Sequence, residues 1–156
     1  MEKQALQYGR PAASLIGMPV YTLDSARKLG YIKDVIYDSM NSQLMAFTME
    51  HPGLFSPKRY VLPFQNVHSV GRDAIMVENK QALVPGHEQQ DISDIIYRGH
   101  TAGDKIVMTE GGNNLGRVSD VLINPDTGNA VSYVVSSGFA KDIGRGRNYV
   151  DARNAN

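Results

Sequence analysis

Short runs in which apolar and polar residues alternate follow one another along this chain, separated by turn-forming residues. Leu15-Ile16-Gly17-Met18-Pro19-Val20-Tyr21 is an extended run. Pro19 has no N–H to give a ladder, so the run belongs at an edge or a strand start. Residues 29–38 read as a long strand whose alternation is imperfect, which predicts a bend or bulge. Residues 39–42 form a turn and 44–49 the returning strand. Residues 58–64 make a strand ending at a proline, 65–73 a turn and 74–78 a last strand. Five or six short strands of this kind predict a small barrel or curled sheet. From residue 79 to 86 the apolar pattern fades. Beyond it Ile92, Ile95 and Ile96 stand at i, i+3, i+4, which predicts one short helix capped by Asp91 or an earlier polar residue.

The pattern then returns. LGYIKDVIYDSMNSQLMAFTME, from residue 29, is answered by LGRVSDVLINPDTGNAVSYVVS, from residue 115, at an offset of 115 − 29 = 86. Leu29/Leu115, Gly30/Gly116, Asp34/Asp120 and Val35/Val121 are identical, and the offset reaches back to Gly17/Gly103 and Val20/Ile106. A repeat of this length is a duplicated domain rather than a solenoid unit. Asn124-Pro125-Asp126-Thr127-Gly128-Asn129 is turn chemistry, with Pro fixing φ and Gly supplying φ > 0. Asn148-Tyr149-Val150 matches Arg59-Tyr60-Val61, but nothing after it corresponds to residues 74–78. Either the chain is cut short or the second unit is an open sheet.

The expected architecture is therefore all-β: two tandem small barrels, the second incomplete or open, joined by a linker with a short helix. Residues 1–13 are a flexible tail, 14–79 the first repeat, 80–98 the linker and 99–156 the second repeat. Units of this size lie near the lower limit for a self-sufficient core, so they should lean on each other or on a second chain. An open unit leaves an unpaired edge, which proteins usually cover. A homodimer is the expected cover.

These residues resemble the PRC-barrel family. The motif L-G-x-[IV]-x-D-[VIL] is met by Leu29, Gly30, Ile32, Asp34 and Val35, and again by Leu115, Gly116, Val118, Asp120 and Val121. The strand ending in L-P-F is met by Leu62, Pro63 and Phe64 in the first copy alone. The resemblance implies a small β-barrel that docks proteins, as in the cytoplasmic part of the photosynthetic reaction-centre H subunit and in ribosome maturation factors. It implies a structural role for Leu29, Gly30, Asp34, Pro63, Leu115, Gly116 and Asp120. The membrane helix and the extra N-terminal barrel of those relatives have no counterpart in this sequence.

Composition narrows the chemistry. Lys+Arg and Asp+Glu both number 16, so the basic excess of a nucleic-acid binder is missing. No cysteine is present, so no thiolate nucleophile, disulfide or cysteine-based metal site is expected. His51, His68, His87 and His100 show no metal-ligand spacing, and neither metal nor cofactor is expected. No serine or threonine sits in a recognisable nucleophile motif, so no enzyme activity is expected. Asp34 and Asp120 read as carboxylates accepting backbone N–H bonds. No window approaches the apolar span of about 18 residues that crosses a bilayer, and residues 1–14 lack a signal-peptide h-region. The expected location is the cytoplasm, peripheral to a membrane complex if the partner is one.

Two loops are candidate partner contacts. Leu54 and Phe55 are apolar side chains in a turn-rich loop, which makes them either a docking patch or a cover for the barrel mouth. Lys141, Arg145 and Arg147 form a basic glycine-containing loop. The reading is a non-catalytic interaction or assembly module that docks onto a protein or membrane-protein complex. The alternative is a ribosome-associated or RNA-processing factor using the basic loop.

Overall fold

The computed structural model describes residues 9–50, 60–85, 105–136 and 148–154. Its elements are β1 (Arg10–Pro11), a 3-10 turn (Ala12–Leu15), β2 (Pro19–Thr22), β3 (Lys28–Asp38), β4 (Gln43–Glu50), β5 (Tyr60–Pro63), a 3-10 turn (Phe64–Asn66), β6 (Val67–Val70) and β7 (Ile75–Val77). A 3-10 turn (Lys80–Ala82) and β8 (Val84–Pro85) follow, then β9 (Ile106–Met108), β10 (Asn114–Ile123), β11 (Ala130–Ser136), β12 (Asn148–Asp151) and a last 3-10 turn (Ala152–Asn154). The protein is all-β, as its turn-punctuated alternation requires. The linker helix expected near residues 91–97 lies outside the described residues.

The first repeat is a curled seven-stranded sheet in the order β6-β7-β2-β3-β4-β5-β8. The second has β10 paired with β11 and β11 with β12, while β9 and β1 both pair with β10. The long strand of each repeat breaks its alternation at the same place. Register slips between Ile32 and Asp34 in β3 and between Val118 and Asp120 in β10, so one extra residue bulges out and bends the strand. At each bulge the aspartate accepts the N–H of the next residue, at 2.7 Å for Asp34 and 2.8 Å for Asp120. Gly116, at φ 127°, lies where an added Cβ would come within 2.4 Å of the Ser136 carbonyl oxygen. Only glycine lets β10 approach β11 this closely.

The repeats lean on each other. Gln43 and Asn129 form a bridge between the sheets, flanked by Leu44 N–H donating to Gly128 O at 2.8 Å and Ala130 N–H donating to Ser42 O at 2.9 Å. These residues correspond at the repeat offset: 128 − 42, 129 − 43 and 130 − 44 all equal 86. Each bond is thus the mate of the other, the pattern of an isologous two-fold contact within one chain. Phe64 of the first repeat abuts Gly128 of the second. Leu15, Ile32, Phe47, Ile75, Val121, Ile123 and Tyr133 belong to one hydrophobic cluster spanning both sheets. Inside it the hydroxyls of Tyr37 and Tyr133 are 2.7 Å apart.

Four sequence expectations are corrected here. Residues 10–13, assigned to a flexible tail, are ordered in β1 and the turn after it, with Ala12 and Leu15 buried and Arg10 and Pro11 paired with Ile123 and Leu122. Arg10 also donates to the carbonyl oxygen of Gly71, so this segment ties the second sheet to the first. Residues 80–85, assigned to the linker, belong to the first sheet: β8 pairs with β5, and Val84 packs on Ile36, Ala46 and Val61. Val150, not Asp151, takes the place of Leu62, because it pairs with Tyr133 as Leu62 pairs with Phe47. Asn148-Tyr149-Val150 therefore corresponds to Tyr60-Val61-Leu62, one residue from the sequence match. Lastly, Val20 is matched by Val107 rather than Ile106. Val20 pairs with Gly30 and Val107 with Gly116, so the offset in this strand is 87.

Candidate functional site

The slip to 87 comes from a shorter turn. Thr22 N–H donates to Arg27 O, and Thr109 N–H donates to Asn113 O. Four residues separate the first pair and three the second, so the second repeat has lost one turn residue. The consequence is that β9 carries Ile106, Val107 and Met108 in the places of Pro19, Val20 and Tyr21.

The surroundings of the two strands differ. In the first repeat β2 lies between β3 and β7, and its Val20 is wholly buried together with Ile75 and Val77 of β7. Among the described residues no strand takes the place of β6 or β7 in the second repeat, so the outer edge of β9 pairs with nothing there. Val107 still turns inward and packs on the shared core. Ile106 and Met108 point the other way and are 52% and 58% exposed. Leu115, on β10 beside them, is 43% exposed, whereas its counterpart Leu29 packs on the core. A strand apolar on both faces belongs inside a sheet. Exposed edges are normally blunted by charge, proline or brevity, and β9 has only its brevity.

Because Thr109 N–H faces β10, alternation along the strand turns the Met108 N–H away from β10, toward the open side. β9 thus offers an outward backbone donor flanked by apolar side chains. Lys105, whose ammonium donates to Ser39 Oγ at 2.6 Å, stands before the strand, and exposed Glu110 stands after it.

A second concavity, of about 760 Å³, lies on the first repeat between the turn after β2 and the turn before β8, lined by Asp24, Arg27, Lys28, Tyr60 and Lys80 among others. Two of its charged groups are engaged locally. The Ser25 hydroxyl donates to Asp24 and holds its carboxyl below the usual range. The Lys28 ammonium donates to Tyr31 OH at 2.7 Å, which raises its pKa.

The motif residues named from sequence occupy the sheet framework. Gly30 and Gly116 take positive φ in the paired long strands, and Asp34 and Asp120 bind their bulges. Pro63 ends β5 and caps the following 3-10 turn with its fixed φ of −59°. Asp151 holds the same position in the second repeat and does the capping by accepting the Arg153 N–H at 2.9 Å. The Arg153 guanidinium also donates to it and pulls its carboxyl down to about 2. His68 Nδ1 lies 3.1 Å from Glu78, and no group of metal-ligating residues occurs among the described residues. Leu54, Phe55, Lys141, Arg145 and Arg147 lie outside the described residues, as do His51, His87 and His100. The β9 edge was missed from sequence. Its signal is the apolar triplet at 106–108 combined with the lack of a counterpart to residues 74–78, legible only once the one-residue slip is known.

The model of one family, the PRC-barrel domain, matches the chain twice, over residues 10–84 and 94–153. No curated protein matches it. The second match takes in β9 to β12; the first begins at β1, which pairs with β10 of the second sheet, and ends within β8. No helix among the described residues is long and apolar enough to cross a membrane.

Proposed function

The chain belongs to the PRC-barrel family, and from that premise we propose that it is a non-catalytic interaction module that docks onto a protein or membrane-protein complex. The observation that carries this reading is the β9 edge, apolar on both faces and, among the described residues, without the strand that, as β7, seals the first repeat. Buried apolar contact and main-chain pairing are what a docking strand supplies. Leu54 and Phe55 are proposed as further partner contacts, on their apolar character in a loop.

The test places a photo-crosslinking amino acid at Met108 of the full chain, with a control at Lys80, in extract of the native host with membrane and ribosome fractions kept apart. A defined protein adduct from position 108 and none from position 80 supports the reading. Equal adducts from both positions, or none, contradict it. The homodimer expected from the sequence would use the same edge and would give an adduct between two copies of the chain. Adducts confined to the ribosome fraction, lost steeply as salt rises, would favour the ribosome-associated alternative carried by Lys141, Arg145 and Arg147.

A further inference from the structure

We propose that β9 accepts an extended segment of the partner protein as a parallel strand, with the pattern acidic–x–apolar–apolar–apolar–basic. This rests on the interaction-module reading and specifies its partner. The template is inside the molecule. In the first repeat β7 runs parallel to β2 with Val20 opposite Ile75, Tyr21 opposite Met76 and Thr22 opposite Val77. Leu23 N–H donates to Val77 O and Asp24 N–H to Glu78 O, which extends the pairing past the strand. Ile75 and Val77 point into the core and are fully buried.

Carried over at the offset of 87, that register sets each position of the incoming strand. Its first apolar residue lies beside Val107 and its third beside Thr109. Both fill the inner face, where Val107 is only partly buried. Its second apolar residue lies beside Met108 and covers Ile106 and Met108 on the outer face. The Met108 N–H, turned away from β10, donates to the incoming carbonyl. Two residues before the first apolar position the strand passes Lys105, which favours an acidic residue. Directly after the last it passes Glu110, which favours a basic one. Charge complementarity at both ends selects the parallel direction, because an antiparallel strand would set like charges together.

The first repeat supplies the probe: a fluorescent peptide of residues 72–78 carrying Glu78→Lys, titrated into the full-length protein. Saturable binding is expected. Reversing the ends, with Asp73→Lys and Glu78 kept, should weaken it by about fivefold or more, as expected when two exposed charge pairs turn from attraction to repulsion. At saturation the Met108 amide should exchange at least about tenfold more slowly, since exchange then needs the added strand to open. The Val107 amide, already facing β10, should change little. A spin label on the peptide N-terminus should broaden resonances at Lys105 and spare Glu110. Met108→Pro removes the outward N–H and leaves the β10 ladder intact. It should abolish binding with an unchanged circular dichroism spectrum, proline being present in β2 at the neighbouring outward position, Pro19.

Broadening at Glu110 instead of Lys105, or indifference to charge reversal, overturns the proposal. So does a dimer in sedimentation whose Met108 amide is protected without peptide, since a second copy would then hold the edge. If the peptide fails to bind while the Met108 crosslink to a partner stands, the module reading survives and the parallel-strand inference falls.

Discussion

The hydroxyl pair between the repeats offers a quantitative test of the shared core. Tyr37 and Tyr133 are buried, their hydroxyls are 2.7 Å apart, and Tyr133 OH is also 3.2 Å from Ser42 Oγ. Tyr133→Phe removes the 2.7 Å hydrogen bond of the Tyr37 hydroxyl, on a residue 4% exposed, and leaves it Ser42 alone. Stranding a buried hydroxyl costs about 1–3 kcal/mol. Either single variant keeps Ser42 beside the remaining phenol, so each should cost less than full stranding, about 0.5–1.5 kcal/mol. The double variant strands no phenol and should cost no more than Tyr133→Phe alone, a coupling of about 1 kcal/mol between residues 96 positions apart. Urea unfolding of the four proteins, followed by fluorescence and circular dichroism, measures this. One coincident transition with unchanged slope is expected, because both repeats contribute to one cluster. Additive single effects or two separate transitions would refute the shared core.

Other consequences follow from the same contacts. Burial, together with the Tyr133 hydrogen bond, pushes the Tyr37 phenol above its ordinary pKa. The unfolded chain therefore loses that proton first as pH rises past about 10. The stability it contributes is fully present below that pH and lost above it; Tyr37→Phe should flatten the alkaline decline in melting temperature. Gly116→Ala sets a Cβ against the Ser136 carbonyl at positive φ. Overpacking and backbone strain of about 1–3 kcal/mol each should appear as a loss of about 2–6 kcal/mol in urea midpoint analysis. Arg153→Ala should raise the Asp151 carboxyl from about 2 part of the way to the ordinary value of about 4, since the backbone N–H at 153 still donates to it, read by NMR titration.

How far this fold is legible in the sequence depends on what each feature needs. The bulges at Asp34 and Asp120 show because a broken alternation recurs at a constant offset, and local pattern carries that information. The slips at Val107 and Val150 do not show, because turn length sets strand register and a one-residue change moves every later match to the other face. β1 hides in a polar segment whose two residues pair with a strand more than 100 positions away. β8 hides because Val84 finds its partners on the far side of the sheet. The two-fold bridge between Gln43 and Asn129 leaves no trace in composition, since it is made by backbone groups. The open edge of β9 needed both the correct register and the contrast with β2.

That contrast can be measured directly by amide hydrogen exchange of the isolated full-length protein, comparing Met108 with Tyr21. Tyr21 pairs with β3 on one side and β7 on the other, while Met108 turns its N–H to a side where no described residue pairs with it. The account predicts that Met108 exchanges within about tenfold of an unstructured peptide, while Tyr21 exchanges at least about a hundredfold more slowly than Met108. Equal protection of the two amides would mean that the β9 edge is already covered, and would contradict its role as the docking strand.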